Sequence, residues 1–225
     1  MKKLSAFILS VIMVLFTVSS AFATNTLDLS VFRDSNLFEI SVDSDQEIAF
    51  ITTTLSLDNR SFTHELESDV RYNSFESDVL VLNYYSSAPY GILRTWIHYC
   101  ADEFLDITSV SIYLGDKIYT FSGIADADWH YEYDDGIQES VLIKYGSDEE
   151  SIDFLAAVED EIEKYGADNS YSPEIKMILH GTKDVTASVG FGPLLDLYAV
   201  AIKFLNANGN LNDAVPSTIK VTNVN

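Results

Sequence analysis

The 225-residue chain contains a single cysteine, Cys100, and only four prolines. One cysteine excludes an intramolecular disulfide framework, so a folded form must be held together by its core alone. The chain also lacks a stretch rich in proline or serine, which is the usual sign of a flexible linker between domains. We therefore expect a single domain rather than several domains joined by linkers.

Basic residues are scarce. Thirteen lysines and arginines stand against 35 acidic residues, which gives a formal net charge of −22. A surface of this charge repels phosphate backbones and anionic lipid head groups, because those partners are bound through clusters of lysine and arginine. Nucleic acid is thus excluded as an expected partner. Cations and basic proteins remain open, and solubility alone would also explain an acidic surface.

The common motifs of catalytic and cofactor-binding families are missing as well. The four histidines form no His-x-x-His or His-Glu-x-x-His pair, the glycines form no phosphate-binding loop, and Gly-x-Ser-x-Gly does not occur. We expect no cofactor, and the sequence favours a protein that is not an enzyme. Catalytic residues and metal ligands stay unassigned, since a site built from distant residues would leave no motif.

The first 23 residues have the three parts of a secretory signal peptide. Lys2 and Lys3 form a basic start, an almost purely apolar run follows from Leu4 to Val18, and Ala21 and Ala23 provide the small residues of a cleavage site. A transmembrane helix would need about 20 apolar residues, and this run is shorter. We therefore predict cleavage after Ala23. A two-lysine start with a compact apolar run is typical of bacterial signals.

Cleavage would leave about 202 residues, with 11 basic against 35 acidic side chains and a net charge of −24. No cysteine follows the cleavage site to accept a lipid, and no apolar tail is seen at the C-terminal end. We therefore expect a secreted, extracytoplasmic protein without a membrane anchor. Its predicted parts are a mobile segment (24–36), a single α+β domain (37–209) and a C-terminal tail (210–225).

Most of the region from Leu37 to Tyr145 has the pattern of β-strands. The clearest case is 109–122, where apolar residues alternate on both sides of Gly115-Asp116. This pattern predicts a β-hairpin, because glycine accepts the positive φ that a tight turn requires. A second hairpin is predicted around residues 180–184.

After Gly146 the apolar spacing becomes helical. A first amphipathic helix is predicted at about 148–165, opened by a capping box of Ser147 and Glu150 and ended at Gly166.

A second helix is predicted at about 193–207. It is apolar nearly all round, with only a narrow polar stripe of Asp196, Lys203 and Asn206, so it should be largely buried. The predicted fold class is α+β, with an antiparallel β-rich N-terminal and central part followed by the two late helices.

One acidic segment has the composition of a cation site. If residues 126–136 are extended, alternation brings five potential ligands to one face: Asp126, Asp128, His130, Glu132 and Asp134. Several carboxylates beside an imidazole could hold a divalent cation. The EF-hand loop is not matched, because Tyr131 occupies its glycine position. The alternative is a solvated strand face whose aromatic side is turned to the core.

Cys100 and His98 form the second candidate, a thiol nucleophile with its base. Two residues apart on one strand, their side chains would be roughly 7 Å apart, which is too far for the required hydrogen bond. We expect instead that Trp96, His98 and Cys100 line a packed face, since cysteine is among the most buried residues.

Three further polar residues have simpler explanations. Arg94 could pair with a carboxylate inside the sheet or clamp an anionic ligand. His64, between two apolar residues, is expected at the edge of the core, and His180 is expected to be exposed at a turn.

These observations favour an exported, non-catalytic binding or interaction module that recognises a protein or another cell-surface component. The alternative is an extracytoplasmic hydrolase, made cation-dependent by the Asp126–Asp134 segment. A carrier of a small molecule or oligosaccharide is a third hypothesis, and it requires Trp96 or Trp129 to be exposed in a groove.

Overall fold

The computed structural model describes residues 27–54, 62–64, 73–124, 130–133, 136–167, 175–211 and 216–224, with the backbone alone for 62–64, 130–133 and 165–167. The described part is β-dominated α+β, as predicted, with twelve strands in two antiparallel sheets. Its elements in chain order are α1 (Ser30–Arg33), β1 (Phe38–Asp43), β2 (Ile48–Thr53), β3 (Phe62–His64), β4 (Ser74–Leu82), β5 (Tyr90–Ala101), β6 (Ser109–Leu114), β7 (Lys117–Ser122), β8 (His130–Tyr133), β9 (Gly136–Lys144), α2 (Glu149–Ala167), β10 (Ile175–His180), β11 (Asp184–Val189), α3 (Phe191–Asn208) and β12 (Thr218–Asn223).

The first sheet has the strand order β1-β2-β4-β5-β9-β8. Its long central strand β5 alternates between buried and half-buried residues, as expected of a strand packed on one face, except that Arg94 is also buried. Leu93, Ile97 and Tyr99 are buried on the inner face, while Trp96 and His98 on the outer face are half-buried. The inner face packs against α3, which contacts β2, β4 and β5.

The second sheet has the order β12-β7-β6-β10-β11-β3. Both predicted hairpins lie in it and are confirmed. The β6–β7 hairpin turns at Gly115, which has a φ of +59°, and the β10–β11 hairpin pairs His180 with Asp184 at its closing end. The outer face of this sheet is rich in hydroxyls, whereas Val110, Ile112 and Leu179 point to the core.

The two late helices are confirmed at Glu149–Ala167 and Phe191–Asn208. Asp148 caps α2: its carboxylate accepts the backbone N–H of Ser151 at 2.8 Å. The predicted Ser147–Glu150 capping box is therefore wrong, because the Ser147 hydroxyl instead donates to the carbonyl of Leu211.

Helix α3 ends as expected at Gly209, whose φ is +74° and whose N–H donates to the carbonyl of Leu205 at 2.7 Å. The predicted polar stripe of this helix does not behave as one surface. Asp196 is fully buried, Lys203 is half-buried and Asn206 is exposed. The carboxylate of Asp196, which the sequence pattern placed on the polar stripe, is thus part of the protein interior.

Buried apolar residues from both sheets and both long helices form one hydrophobic core. An aromatic cluster connects α2 to the second sheet. Phe154 packs edge-to-face on Tyr119 at 5.2 Å and on Phe121 at 4.9 Å between ring centroids, and it stacks on Tyr145 at 5.9 Å. Such aromatic pairs add about 0.5–1.5 kcal/mol each beyond the burial of their area.

The segment 24–36, predicted to be mobile, places apolar side chains of its described residues in the core. Leu27 and Phe32 are buried in the core, and Phe32 makes an edge-to-face contact with Phe38 at 5.5 Å. The N–H of Leu27 donates to the carbonyl of Pro89 at 3.0 Å. These apolar side chains precede the first strand and still reach the core. Local periodicity along the chain does not predict this burial.

The predicted C-terminal tail, 210–225, is also different in the structure. Leu211 is buried, and β12 pairs along β7 from Thr218–Ser122 to Asn223–Lys117 to form one edge of the second sheet. Its half-buried Ile219 and Val221 alternate with exposed residues, the pattern of an edge strand. In the described part, no helix is both long and apolar enough to cross a membrane. The predicted signal peptide lies outside the described residues.

Candidate functional sites

A chain of hydrogen bonds on the outer face of the second sheet joins Asp184, His180, Ser111 and Thr120. His180 Nδ1 lies 2.8 Å from Asp184 Oδ1, and His180 Nε2 lies 2.8 Å from Ser111 Oγ. Ser111 Oγ is in turn 2.8 Å from Thr120 Oγ1. We name these residues the Ser111–His180–Asp184 relay. Its connectivity is that of a nucleophile, a base and an orienting carboxylate.

The carboxylate determines which nitrogen of His180 carries the proton. An ionised carboxylate only accepts, so Nδ1 is the donor in its bond to Asp184. In the neutral ring Nε2 is then an acceptor, and the Ser111 hydroxyl donates to it. Thr120 can donate its own hydrogen to Ser111 Oγ, so that every hydrogen bond from Thr120 to Asp184 can point the same way, from donor to acceptor.

Strand register brings these side chains together. His180 and Asp184 are direct partners across the β10–β11 hairpin, while Ser111 pairs with Ile178 on β10 and with Thr120 on β7. The expectation that His180 is exposed at a turn is wrong, because it ends β10 and its side chain is only 29% exposed. Sequence reasoning missed Ser111 altogether, and only the register of β6 against β10 reveals it.

The hairpin that carries His180 and Asp184 rests on the loop between β5 and β6. The N–H of Thr182 donates to the carbonyl of Leu105 at 2.7 Å, and the N–H of Thr108 donates to the carbonyl of His180 at 2.8 Å. A Cβ added to Gly181 would lie 2.0 Å from the Leu105 oxygen. Only glycine permits this close approach.

Glu139 in turn anchors that loop. It is buried on β9, and its carboxylate accepts the backbone N–H groups of Leu105 at 3.0 Å, Asp106 at 3.1 Å and Ile107. A buried carboxylate is stable only when its oxygens are hydrogen-bonded, and these three donors satisfy that need. The first sheet therefore supports the hairpin of the second through one side chain.

Arg94 pairs with a carboxylate inside the sheet, as one of its two explanations predicts. Its Nε lies 2.8 Å from Asp78 Oδ1 and its Nη2 lies 2.5 Å from Asp78 Oδ2, with both residues buried. The guanidinium also lies over the rings of Phe50 and Trp96, at 5.5 and 5.4 Å from their centroids. A bidentate, buried pair of this kind serves the sheet, so the alternative of an anion clamp loses its support.

Trp96, His98 and Cys100 share one face, as expected, but this face is not packed in the core. These residues are half-buried on the outer face of the first sheet, where His98 stacks on Trp96 with centroids 5.9 Å apart. His98 Nδ1 lies 2.7 Å from Ser140 Oγ and 3.2 Å from Gln138 Nε2. Burial lowers the pKa of His98. Its Nδ1 thus interacts with β9 rather than with the thiol.

The acidic segment Asp126–Asp134 lies almost wholly outside the described residues, and so does Trp129. For His130 to Tyr133 the backbone alone is described, as the edge strand β8 of the first sheet. The side chain of His64 is also outside the description, although its backbone pairs with Ala187 in β3. Among described residues, no group of three or more His, Cys, Asp or Glu side chains could hold a metal ion.

A groove of about 180 Å³ lies between α2 and α3. Its surface is largely apolar, formed by Ile152, Leu155, Val158, Ala201, Ile202 and Leu205. Among the described residues, Glu159 and Asp160 are the charged ones that line it. The Tyr198 hydroxyl donates to Glu159 Oε1 at 3.3 Å.

Burial raises the pKa of Glu159, and the nearby Glu163 and Asp160 add to this effect. Burial and the Glu159 carboxylate also raise the pKa of Tyr198 to about 12.

A more polar cleft of about 170 Å³ lies where the β6–β7 hairpin meets α2. Lys117 Nζ contacts both carboxylate oxygens of Asp153 at 2.7 Å, and the Tyr119 hydroxyl donates to the same carboxylate at 2.9 Å. Lys164 pairs with Glu161 at 2.7 Å. Both lysines described at this cleft are therefore already paired with carboxylates.

Comparisons with known protein families, with curated proteins and with solved structures found no match for this chain.

Proposed function

We propose that this protein is an exported binding module, and that its α2–α3 groove binds a basic protein partner without any chemical reaction at the groove. The observation that carries the proposal is the groove's composition, an apolar surface whose charged lining residues, within the described part of the chain, are both acidic. A groove between two helices is a common docking place for an amphipathic helix of a partner. Its volume of about 180 Å³ suits one large apolar anchor residue.

The charge of the protein favours the same kind of partner. Glu159 and Asp160 lie at the groove, and the whole chain carries a net charge of −22. Charges of one sign steer partners of the opposite sign to the surface and reject partners of like sign. A helix with leucine or phenylalanine on one side and lysine or arginine flanking it would satisfy both features of the groove.

Titration of the mature protein with a short amphipathic peptide of leucine and lysine tests the binding site. We expect binding that weakens as salt is added, with amide chemical-shift changes concentrated on α2 and α3. The same peptide with glutamate in place of lysine should not bind. Equal binding of both peptides would contradict the proposal.

A matched pair of variants on α3 locates the contact. Ile202→Glu introduces a charge into the groove, and we expect at least about a tenfold loss of affinity because that charge would have to be desolvated. Asn206→Glu adds the same charge at an exposed position and should leave the affinity within about twofold. Equal affinities of the two variants would show that net charge, and not the groove, decides binding.

Export is tested separately, by expressing the full chain in a bacterial host and analysing the extracytoplasmic fraction. We expect a product that begins at Thr24, because Ala21 and Ala23 form the cleavage site. An uncleaved chain retained with the membrane would contradict this part of the proposal.

A further inference from the structure

We propose that Ser111 is an activated nucleophile, with His180 as its general base, and that it reacts with small activated esters at the outer face of the second sheet. This activity is independent of the groove, which lies between α2 and α3. The connectivity of the relay carries the inference, because both His180 nitrogens are engaged at 2.8 Å in the order that base catalysis requires.

The supports beneath the relay hold it in this geometry. Glu139 anchors the β5–β6 loop, and that loop is hydrogen-bonded to the β10–β11 hairpin. Gly181 allows the loop and the hairpin to approach closely. Asp184 and His180 then project from a hairpin held at two points. Positioning of this kind is what distinguishes a nucleophile–base pair from two polar side chains that meet by chance.

Exposure limits which molecules can react. Asp184 is largely exposed, the His180 side chain is 29% exposed, and Ser111 is only 5% exposed as a residue. The imidazole can therefore be reached from solvent, whereas access to Ser111 Oγ is narrow. A small acyl group fits these conditions, and a bulky one would be excluded.

In the reaction, Ser111 Oγ attacks the acyl carbon of the ester and its proton passes to His180 Nε2. Asp184 holds the imidazolium through Nδ1. The bond from the acyl carbon to the leaving oxygen breaks, and the leaving alcohol takes the proton from Nε2. Water then attacks the acyl-serine, with His180 again taking and returning the proton, so that the acid is released and the Ser111 hydroxyl is restored.

The sheet also sets the limit of this chemistry. Ser111 pairs with Thr120 on one side and with Ile178 on the other, so its backbone amide belongs to the strand ladder and does not form an oxyanion hole. Without such donors, the oxyanion is poorly stabilised. Esters with a good leaving group, such as aryl esters, are therefore the expected substrates, and amides are not.

Covalent labelling of the mature protein with a small alkyl fluorophosphonate tests the proposal. Ser111 Oγ should displace fluoride from phosphorus, and fragmentation of the tryptic peptide from Thr95 to Lys117 should place the adduct on Ser111. Ser111→Ala should remove the adduct. His180→Gln should slow labelling by about 100-fold or more, because a general base contributes about 10²–10⁴-fold.

Ser188→Ala is the matched control, since Ser188 lies on the same face of the second sheet, four residues beyond Asp184 on β11 and paired with Lys176 on β10. It should leave the labelling rate unchanged. Asp184→Asn should slow labelling less than His180→Gln does, because the amide oxygen can still accept from Nδ1. Circular dichroism and a melting curve for each variant separate loss of reactivity from loss of fold.

Two outcomes would overturn the proposal: no adduct on Ser111 in the unaltered protein, or an adduct that forms equally fast in a folded His180→Gln variant. Neither outcome affects peptide binding at the α2–α3 groove, so the failure of one proposal can be told from the failure of the other.

Discussion

Asp196 on α3 is fully buried against the first sheet, and its carboxylate accepts the backbone N–H of Ser77 on β4 at 3.1 Å. The other carboxylate oxygen accepts the hydroxyl of Thr53 on β2. From Ser77 the network continues through its hydroxyl to Thr95 at 2.9 Å and from there to the Tyr145 hydroxyl at 2.8 Å. A polar row thus crosses the inner face of three neighbouring strands, reaches Tyr145 directly after β9, and ties the helix to the sheet.

Replacing this carboxylate should be costly. Asp196→Ala removes the acceptor that the Ser77 N–H and the Thr53 hydroxyl share, and losing such a buried hydrogen bond costs about 1–3 kcal/mol. We expect the free energy of unfolding, measured by urea denaturation, to fall by about 3 kcal/mol. Asp196→Asn should cost less because one oxygen acceptor remains.

Asn206→Ala on the exposed face of the same helix is the control, and we expect a change within about 0.5 kcal/mol. If Asp196→Ala changed stability as little as this control, the hydrogen-bond network would not hold the helix to the sheet.

Gly181→Ala should disturb the support of the relay. Its Cβ would lie 2.0 Å from the Leu105 oxygen, so either the hairpin or the β5–β6 loop must move. We expect a loss of about 1–3 kcal/mol in unfolding free energy, together with altered ring resonances of His180 in NMR spectra.

Gly190→Ala provides the comparison for this variant. A Cβ there meets nothing within 4 Å, and the φ of −79° suits any residue. Its stability should stay within about 0.5 kcal/mol, apart from any gain from a less flexible unfolded chain. Equal effects of the two substitutions would argue against a tight hairpin–loop contact.

Glu159 should make stability depend on pH. Because burial raises its pKa in the folded state above the ordinary value of 4.5, the folded protein binds more protons than the unfolded chain just above that pH. Its contribution to stability is therefore present below pH 4.5 and is lost as the pH rises through the folded-state pKa. Glu159→Gln should remove this loss from the stability profile.

Tyr198→Phe tests the cause of this effect. The Tyr198 hydroxyl donates to the Glu159 carboxylate and so opposes the rise of its pKa. Without this donor the Glu159 pKa should rise further, and stability should be lost over a range that extends to higher pH. Denaturation curves recorded from acid to neutral pH measure both variants. Identical profiles for Glu159→Gln and the unaltered protein would show that Glu159 does not titrate differently on unfolding.

Elements with strong local patterns were predicted well. The alternation on both sides of Gly115-Asp116 identified the β6–β7 hairpin, and the apolar circumference of 193–207 identified a buried helix. Strand β12 was missed, because Thr218 to Asn223 is short, polar on one side and read as a tail. A weak edge strand gains most of its stability from the neighbour with which it pairs, and that neighbour, β7, lies about 100 positions earlier in the chain.

The candidate sites show the same difference between what local patterns predict and what distant contacts decide. The sequence singled out histidines and carboxylates by their neighbours along the chain, which led to Asp126–Asp134 and to His98 with Cys100. It did not bring Ser111 to His180, since 69 residues separate them and no spacing rule connects β6 to β10.

Composition and local periodicity alone determined the acidic character of this protein, its lack of disulfides, its α+β class and the positions of its main helices. These properties depend on residue type and on repeats of two or about 3.6 residues, which are written directly in the order of the chain. Only the tertiary structure decided that Asp196 is interior, that Leu27 and Phe32 are packed in the core, and that Ser111, His180 and Asp184 form one relay. Those outcomes depend on which distant strands pair and in which register, and this is set by the packing of the whole core.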